Sequence, residues 1–150
     1  KTNKRRGAEH KKKQNPACCL MHNRHEAVYQ DFLKDMVQDM EECVRLAREA
    51  GVADNKIMLD PGVGFGKTYE MNLEAIHHVE VLHSLGFPIL LGTSRKSVIG
   101  LTLDLPADQR VEGTLATTVI GVMKGCAFVR VHDIKENKRV IQMTEAILGR

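Results

Sequence analysis

The sequence has no run of about 18 consecutive apolar residues, the length a transmembrane helix needs. Its N-terminus is basic, but the apolar stretch that would make a secretory signal peptide does not follow. Cysteine is sparse: Cys18, Cys19, Cys43 and Cys126 form no C-x-x-C pair and no zinc-like spacing. That usage predicts buried free thiols in a reducing cytoplasm, with Cys18 and Cys19 pointing to opposite faces of one strand. At 150 residues the chain is one domain or less, too short for a complete eightfold β/α barrel of about 250 residues.

The net charge of +3 conceals a division. Residues 1–13 carry seven lysines and arginines against Glu9 alone, so the remainder is mildly acidic. The basic segment has almost no apolar content, which predicts a disordered leader over 1–15 that need not be native, followed by a domain over 16–150. Basic runs can bind nucleic acid. Here no aromatic is interleaved and no recognised nucleic-acid fold follows, so such a partner is not expected. His77, His78 and His83 sit on a predicted helix with no ligand partner in view, which argues against a metal there.

From Asn15-Pro16 onward the pattern is regular. Short apolar runs at Ala17–His22, Lys56–Asp60, Pro88–Gly92 and Ala127–Val131 read as buried parallel strands. Helical periodicity fills the gaps: Asp31–Ala50, Asn72–Leu85, a turn at Lys96–Ile99, then Ala107–Lys124 and Ile134–Leu148. Leu73, Ile76, Val79 and Leu82 form one stripe; Val140, Ile141, Thr144, Ile147 and Leu148 are expected to face inward. Leu101–Pro106 reads as a loop. The order β-α-β-α-β-α-β-α predicts an α/β fold of parallel β/α units, half of a TIM (β/α)8 barrel. A doubly wound sheet is the alternative, but no Gly-x-Gly-x-x-Gly follows its first strand.

Chemistry concentrates at three strand ends, where α/β folds place their sites. Ile57-Met58-Leu59 delivers Asp60 into Pro61-Gly62-Val63-Gly64-Phe65-Gly66-Lys67-Thr68. This is not a nucleotide P-loop, because that motif needs glycine where Pro61 stands. Taken alone, Asp60-Pro61-Gly62 is as readily a plain turn. Gly92-Thr93-Ser94-Arg95-Lys96-Ser97 follows the third strand and Arg130-Val131-His132-Asp133 the fourth. Three polar strand ends together predict one shared site.

These loops resemble the last three active-site loops of the dihydropteroate synthase family. Cys19-Leu20-Met21-His22 is similar to that family's fifth strand, and Arg110-Val111-Glu112-Gly113-Thr114 to the start of the helix after its seventh. The likeness runs from about Pro16 to Gly149. It implies strands five to eight of a pterin-binding barrel that joins p-aminobenzoate to 6-hydroxymethyl-7,8-dihydropterin pyrophosphate, with magnesium as cofactor and sulfonamides as competitors. It further implies a homodimer in the full-length family, a cytoplasmic location, no membrane partner, and a magnesium ligand in the first four strands, outside this chain.

The residues it singles out are Met21, Asp60, Gly64, Phe65, Gly92, Arg95, Lys96, Ser97, Arg130 and His132, with Lys96, Arg130 and His132 as the catalytic set. Asp60 can accept from a pterin's N–H and amino edge, and Lys96 can donate to its carbonyl edge. Met21 and Phe65 can wall a flat slot. Arg130 and His132 alternate along one strand and can hold pyrophosphate. Ser97 and Arg95 lie on the p-aminobenzoate side. Simpler roles stay open: Arg95 as a structural ion pair, Lys96 as a solvent-facing loop residue, His132 as a core histidine, and His22 as a structural one. The chain by itself is read either as part of that enzyme or as a catalytically silent pterin-binding fragment.

Overall fold

The computed structural model describes residues 16–150. The basic segment, and with it the expected leader, lies outside the described residues. Four parallel strands follow in chain order: β1 (Cys18–Met21), β2 (Ile57–Asp60), β3 (Leu90–Leu91) and β4 (Phe128–Val129). β1 pairs with β2 so that Met21 lies opposite Asp60, and β3 pairs with β4 so that Leu91 lies opposite Val129. A parallel bridge between Leu59 and Ile89 joins the two pairs. Helices α1 (Phe32–Glu49), α2 (Tyr69–His77), α3 (Ser97–Leu103), α4 (Val111–Met123) and α5 (Ile134–Leu148) connect and close them.

Strand order follows chain order throughout. A doubly wound sheet reverses its order at a switch point so that helices cover both faces. Here the order never reverses, and right-handed crossovers then lay the helices on one face. Leu20, Ile57, Leu59, Ile89, Leu91 and Val129 pack into the core with Met36, Met40, Val44, Ala75 and Ile76 of α1 and α2. Strand alternation puts Met21, Met58, Asp60, Leu90, Gly92, Phe128 and Arg130 on the other face.

Local chemistry sets the element ends. The Asp31 side chain accepts from Lys34 N–H and caps α1, and Gly51 at φ +85 ends it. Phe32, Met36, Met40, Val44 and Ala47 form its buried stripe. The helix expected over Asn72–Leu85 splits at His78 into α2 and a 3-10 segment, Val79–Leu85. Three residues per turn stack Val79 and Leu82, both fully buried, on one side. The stripe therefore breaks upstream, and Leu73 is exposed.

Three further expectations are corrected. Leu101–Leu103 is the last turn of α3 rather than loop, ended by Asp104 at φ +54. The helix expected from Ala107 begins as a 3-10 turn, Ala107–Gln109, before α4. Ile147 is 72% exposed and Leu148 is exposed too, because α5 docks through polar groups: Asn137 and Thr144 are buried, and Thr118 Oγ1 donates to Asn137 Oδ1 at 2.6 Å. The cysteines are free as expected, but none is fully buried: Cys18, Cys43 and Cys126 are half-buried and Cys19 is exposed. No helix among the described residues is long and apolar enough to cross a membrane.

Leu59 is fully buried at the centre of the sheet. Leu59→Ala removes transfer energy and leaves a cavity, so it is expected to cost about 3 kcal/mol in urea denaturation. A loss below about 1 kcal/mol would contradict the packing described.

Candidate functional site

Asp60 ends β2 with its carboxylate buried, a placement that demands partners. Oδ1 accepts the Gly62 N–H at 2.8 Å. Oδ2 faces the Arg130 guanidinium at 3.8 Å, beyond hydrogen-bond length, so it keeps accepting capacity. The turn requires glycine at 62: φ is +67, and a Cβ there would sit 1.8 Å from the His22 carbonyl oxygen. Gly64 is exposed, with its N–H on Asn72 Oδ1 at 2.7 Å and its backbone against the Lys96 methylenes.

Lys96 reaches back across this loop. Its ammonium donates to the Val63 carbonyl and stands 4.9 Å from the Phe65 ring centroid, a cation–π arrangement. Burial pushes the Lys96 pKa down; the Asp60 carboxylate pulls it back up and Arg130 lowers it further. Lys96 is thus half-buried with its ammonium held at Val63 and Phe65, not a solvent-facing loop residue. Met21, opposite Asp60 in register, is half-buried, and Phe65 is partly exposed.

The turn that delivers Lys96 is strained. Arg95 is a non-glycine residue at φ +59. Its N–H donates to Thr114 Oγ1 at 3.2 Å, and its carbonyl accepts from Arg110 Nη1 at 2.8 Å. Its own guanidinium pairs with Asp133 at 2.7 Å, the structural alternative noted for this residue. Arg110 Nε also donates to the Leu105 carbonyl at 2.8 Å, and the guanidinium occupies the space beside Gly100 that a Cβ would need. The motif at Arg110–Thr114 was visible in the sequence, but its role as a support for Arg95 was not.

Arg130 lies just past β4, its N–H on the Leu91 carbonyl at 3.0 Å and its side chain 61% exposed. The guanidinium passes 3.0 Å from where a Cβ of Gly92 would be, so Gly92 leaves its path open. His132 is exposed rather than a core histidine. Its N–H donates to Ser94 Oγ at 3.1 Å, and the Ser94 hydroxyl meets its Nδ1 at 2.8 Å. With Ser94 as donor to Nδ1, the proton sits on Nε2, which has no hydrogen-bond partner among the described residues. Gly92, Ser94, Lys96, Arg130, Val131 and His132 line a hollow of about 220 Å³. Ser97, by contrast, opens α3 at its exposed rim.

Two residues missed by the sequence reading support the site, Lys67 at the first loop and Ser94 at the segment after β4. Lys67 is half-buried, its ammonium within 2.8 Å of His22 Nδ1 and 3.0 Å of both the Gly62 and Phe65 carbonyls. Burial pushes its pKa down to about 8. Ser94 orients His132. Neither contact has a signal in sequence spacing. Among the described residues no three His, Cys, Asp or Glu side chains gather into a metal cage.

Residues 2–132 match the pterin binding enzyme family. The chain is 58% identical over 139 residues to a dihydropteroate synthase of Clostridium beijerinckii, covering 92% of this chain and 52% of that relative. A solved structure of dihydropteroate synthase from Clostridium difficile in the presence of pteroic acid superposes with a TM-score of 0.85 at 46% identity, over 87% of this chain and 50% of the other. Dihydropteroate synthase of Yersinia pestis in a sulfonamide drug complex gives 0.85 at 37%, over 89% and 51%. The chain spans about half the length of the relatives it matches.

Arg110 makes two charge-assisted bonds to backbone carbonyls. Arg110→Met is expected to lower stability by about 2–3 kcal/mol in chemical denaturation, and Arg110→Lys to recover less than half, because an ammonium cannot fork to both carbonyls. Full recovery by lysine would contradict this role.

Proposed function

This chain belongs to the pterin binding enzyme family, and we propose that its four β/α units are strands five to eight of a dihydropteroate synthase barrel. The reaction is condensation of p-aminobenzoate with 6-hydroxymethyl-7,8-dihydropterin pyrophosphate, giving 7,8-dihydropteroate and pyrophosphate. Strand order without reversal supports the barrel. So does the sheet face bearing Met58, Leu90 and Phe128, which a barrel would enclose.

The observation that carries the reading is the buried Asp60 carboxylate sharing one strand-end rim with Lys96 and Arg130. Asp60 Oδ2 accepts from the pterin's N–H and amino edge. Lys96 donates to the carbonyl edge, with Met21 and Phe65 as walls and Gly64 letting the ring approach. Arg130 and the Nε2–H of His132 take the pyrophosphate at Gly92. The C–O bond breaks with its electron pair leaving on pyrophosphate. The pterin stabilises the cation at the methylene carbon, the arylamine nitrogen attacks that carbon, and the nitrogen then loses a proton. No protein nucleophile is used; positioning and charge stabilisation of the leaving group lower the barrier. Arg95 and Ser97 border the p-aminobenzoate position, for which sulfonamides compete. The pathway carries a cytoplasmic location with it. The homodimer would bury the exposed Leu73, Leu101 and Leu103 beside the apolar hollow between α2, α3 and α4.

Coverage of only 52% of a relative favours a second reading for the 150-residue polypeptide alone: it binds pterin without turning over. Each lost transition-state contact costs about 3 kcal/mol, or roughly a hundredfold in rate. Calorimetry is therefore expected to find pteroate binding that Asp60→Asn weakens at least about tenfold, and pyrophosphate binding that Arg130→Ala weakens similarly. Dihydropteroate formation should be undetectable. Steady turnover abolished by Lys96→Ala would overturn the silent reading, and pteroate binding indifferent to Asp60 would overturn the site.

A further inference from the structure

Lys67 presents three ammonium protons to three acceptors: His22 Nδ1, the Gly62 carbonyl and the Phe65 carbonyl. It is saturated and has no donor left for a ligand. Accepting at Nδ1 leaves the His22 proton on Nε2, which donates to Asp39 Oδ2 at 3.0 Å. Burial, then the Lys67 charge, disfavours the imidazolium at this fully buried ring. Arg24 grips Asp39 with a fork, Nε to Oδ2 at 2.6 Å and Nη2 to Oδ1 at 3.0 Å. The Arg24 guanidinium lies 4.3 Å from the centroid of the Tyr29 ring, and the Tyr29 hydroxyl donates to the Gly66 carbonyl at 2.6 Å.

The chain of contacts Arg24–Asp39–His22–Lys67, with Tyr29 beside it, therefore starts on the β1–α1 side and ends on three carbonyls of the β2–α2 loop: Gly62, Phe65 and Gly66. That loop carries the Val63 carbonyl and the Phe65 ring, both of which meet the Lys96 ammonium. We infer that Lys67, held by His22, is a positioning residue that clips the Gly62–Lys67 loop so that Phe65 and Val63 form the wall against Lys96 where the pterin ring lies. Lys67 itself does not touch the ligand. The assignment of the ring to this wall rests on the function proposed above; the clip does not.

Lys67→Met keeps the side-chain length and removes all three donors. Amide exchange read at Gly64 and Phe65, whose N–H groups bond Asn72 and Gly62, is expected to accelerate by about tenfold or more. Amides of α5 should be unchanged. The His22 ring, followed by nitrogen NMR, should keep its Nε2–H on Asp39 and titrate at higher pH than before. Affinity for pteroate should fall by about tenfold or more while affinity for inorganic pyrophosphate stays within about twofold. Tyr29→Phe, which removes one hydroxyl, should raise loop exchange more mildly and keeps the test open if Lys67→Met fails to fold. Unchanged exchange at Gly64 and Phe65 in both variants overturns the clip. Faster exchange with unchanged pteroate affinity overturns the positioning role. If the unaltered chain binds no pteroate, the proposed function fails, and the exchange and His22 titration data alone decide the clip.

Discussion

A carboxylate sealed at the end of a buried strand dictates most of what surrounds it. Asp60 is almost without solvent, so its charge must be met by the protein. One oxygen is satisfied by the tight turn at Gly62, and that turn forces the glycine and the close approach of the His22 carbonyl. The other faces Arg130, with Lys96 near enough to feel its field. Two cations around one carboxylate leave the rim positive overall. Such a rim suits a ligand that brings a donor edge for the acid and an anionic tail for the bases.

The three loops on that rim hold their shapes through side chains that pair with their backbone groups. The Gly62–Lys67 loop is tied by its carbonyls to Lys67 and Tyr29. The Thr93–Lys96 turn, strained at Arg95, is held by Arg110 and Thr114 from the start of α4. The segment after β4 is fixed by Ser94. In each case a polar side chain satisfies backbone groups that a strand end leaves unpaired. Rigid loops of this kind suit catalysis by positioning, which needs groups preorganised rather than reactive.

How much of this was legible follows from range. The strand runs, the β/α alternation and the extent of α5 are local patterns, and periodicity finds them. So are the polar strand ends, because glycine, proline and charge stand together in the chain. The split of α2 at His78 was not legible, since it depends on Val79 and Leu82 both reaching the core. The exposure of Ile147 and Leu148 depends on Asn137 meeting Thr118 on another helix. Lys67 read as the end of a glycine-rich motif; only its distance to His22, 45 positions away, gives it a role. Contacts at such separation leave no periodic trace in one sequence.

A structure determined with pteroate bound tests the central claim most directly. The account predicts the pterin ring beside Phe65, its amino edge within hydrogen-bond reach of Asp60 Oδ2 and its carbonyl edge toward Lys96. A ring lying elsewhere, or with its amino edge turned away from Asp60, would contradict it.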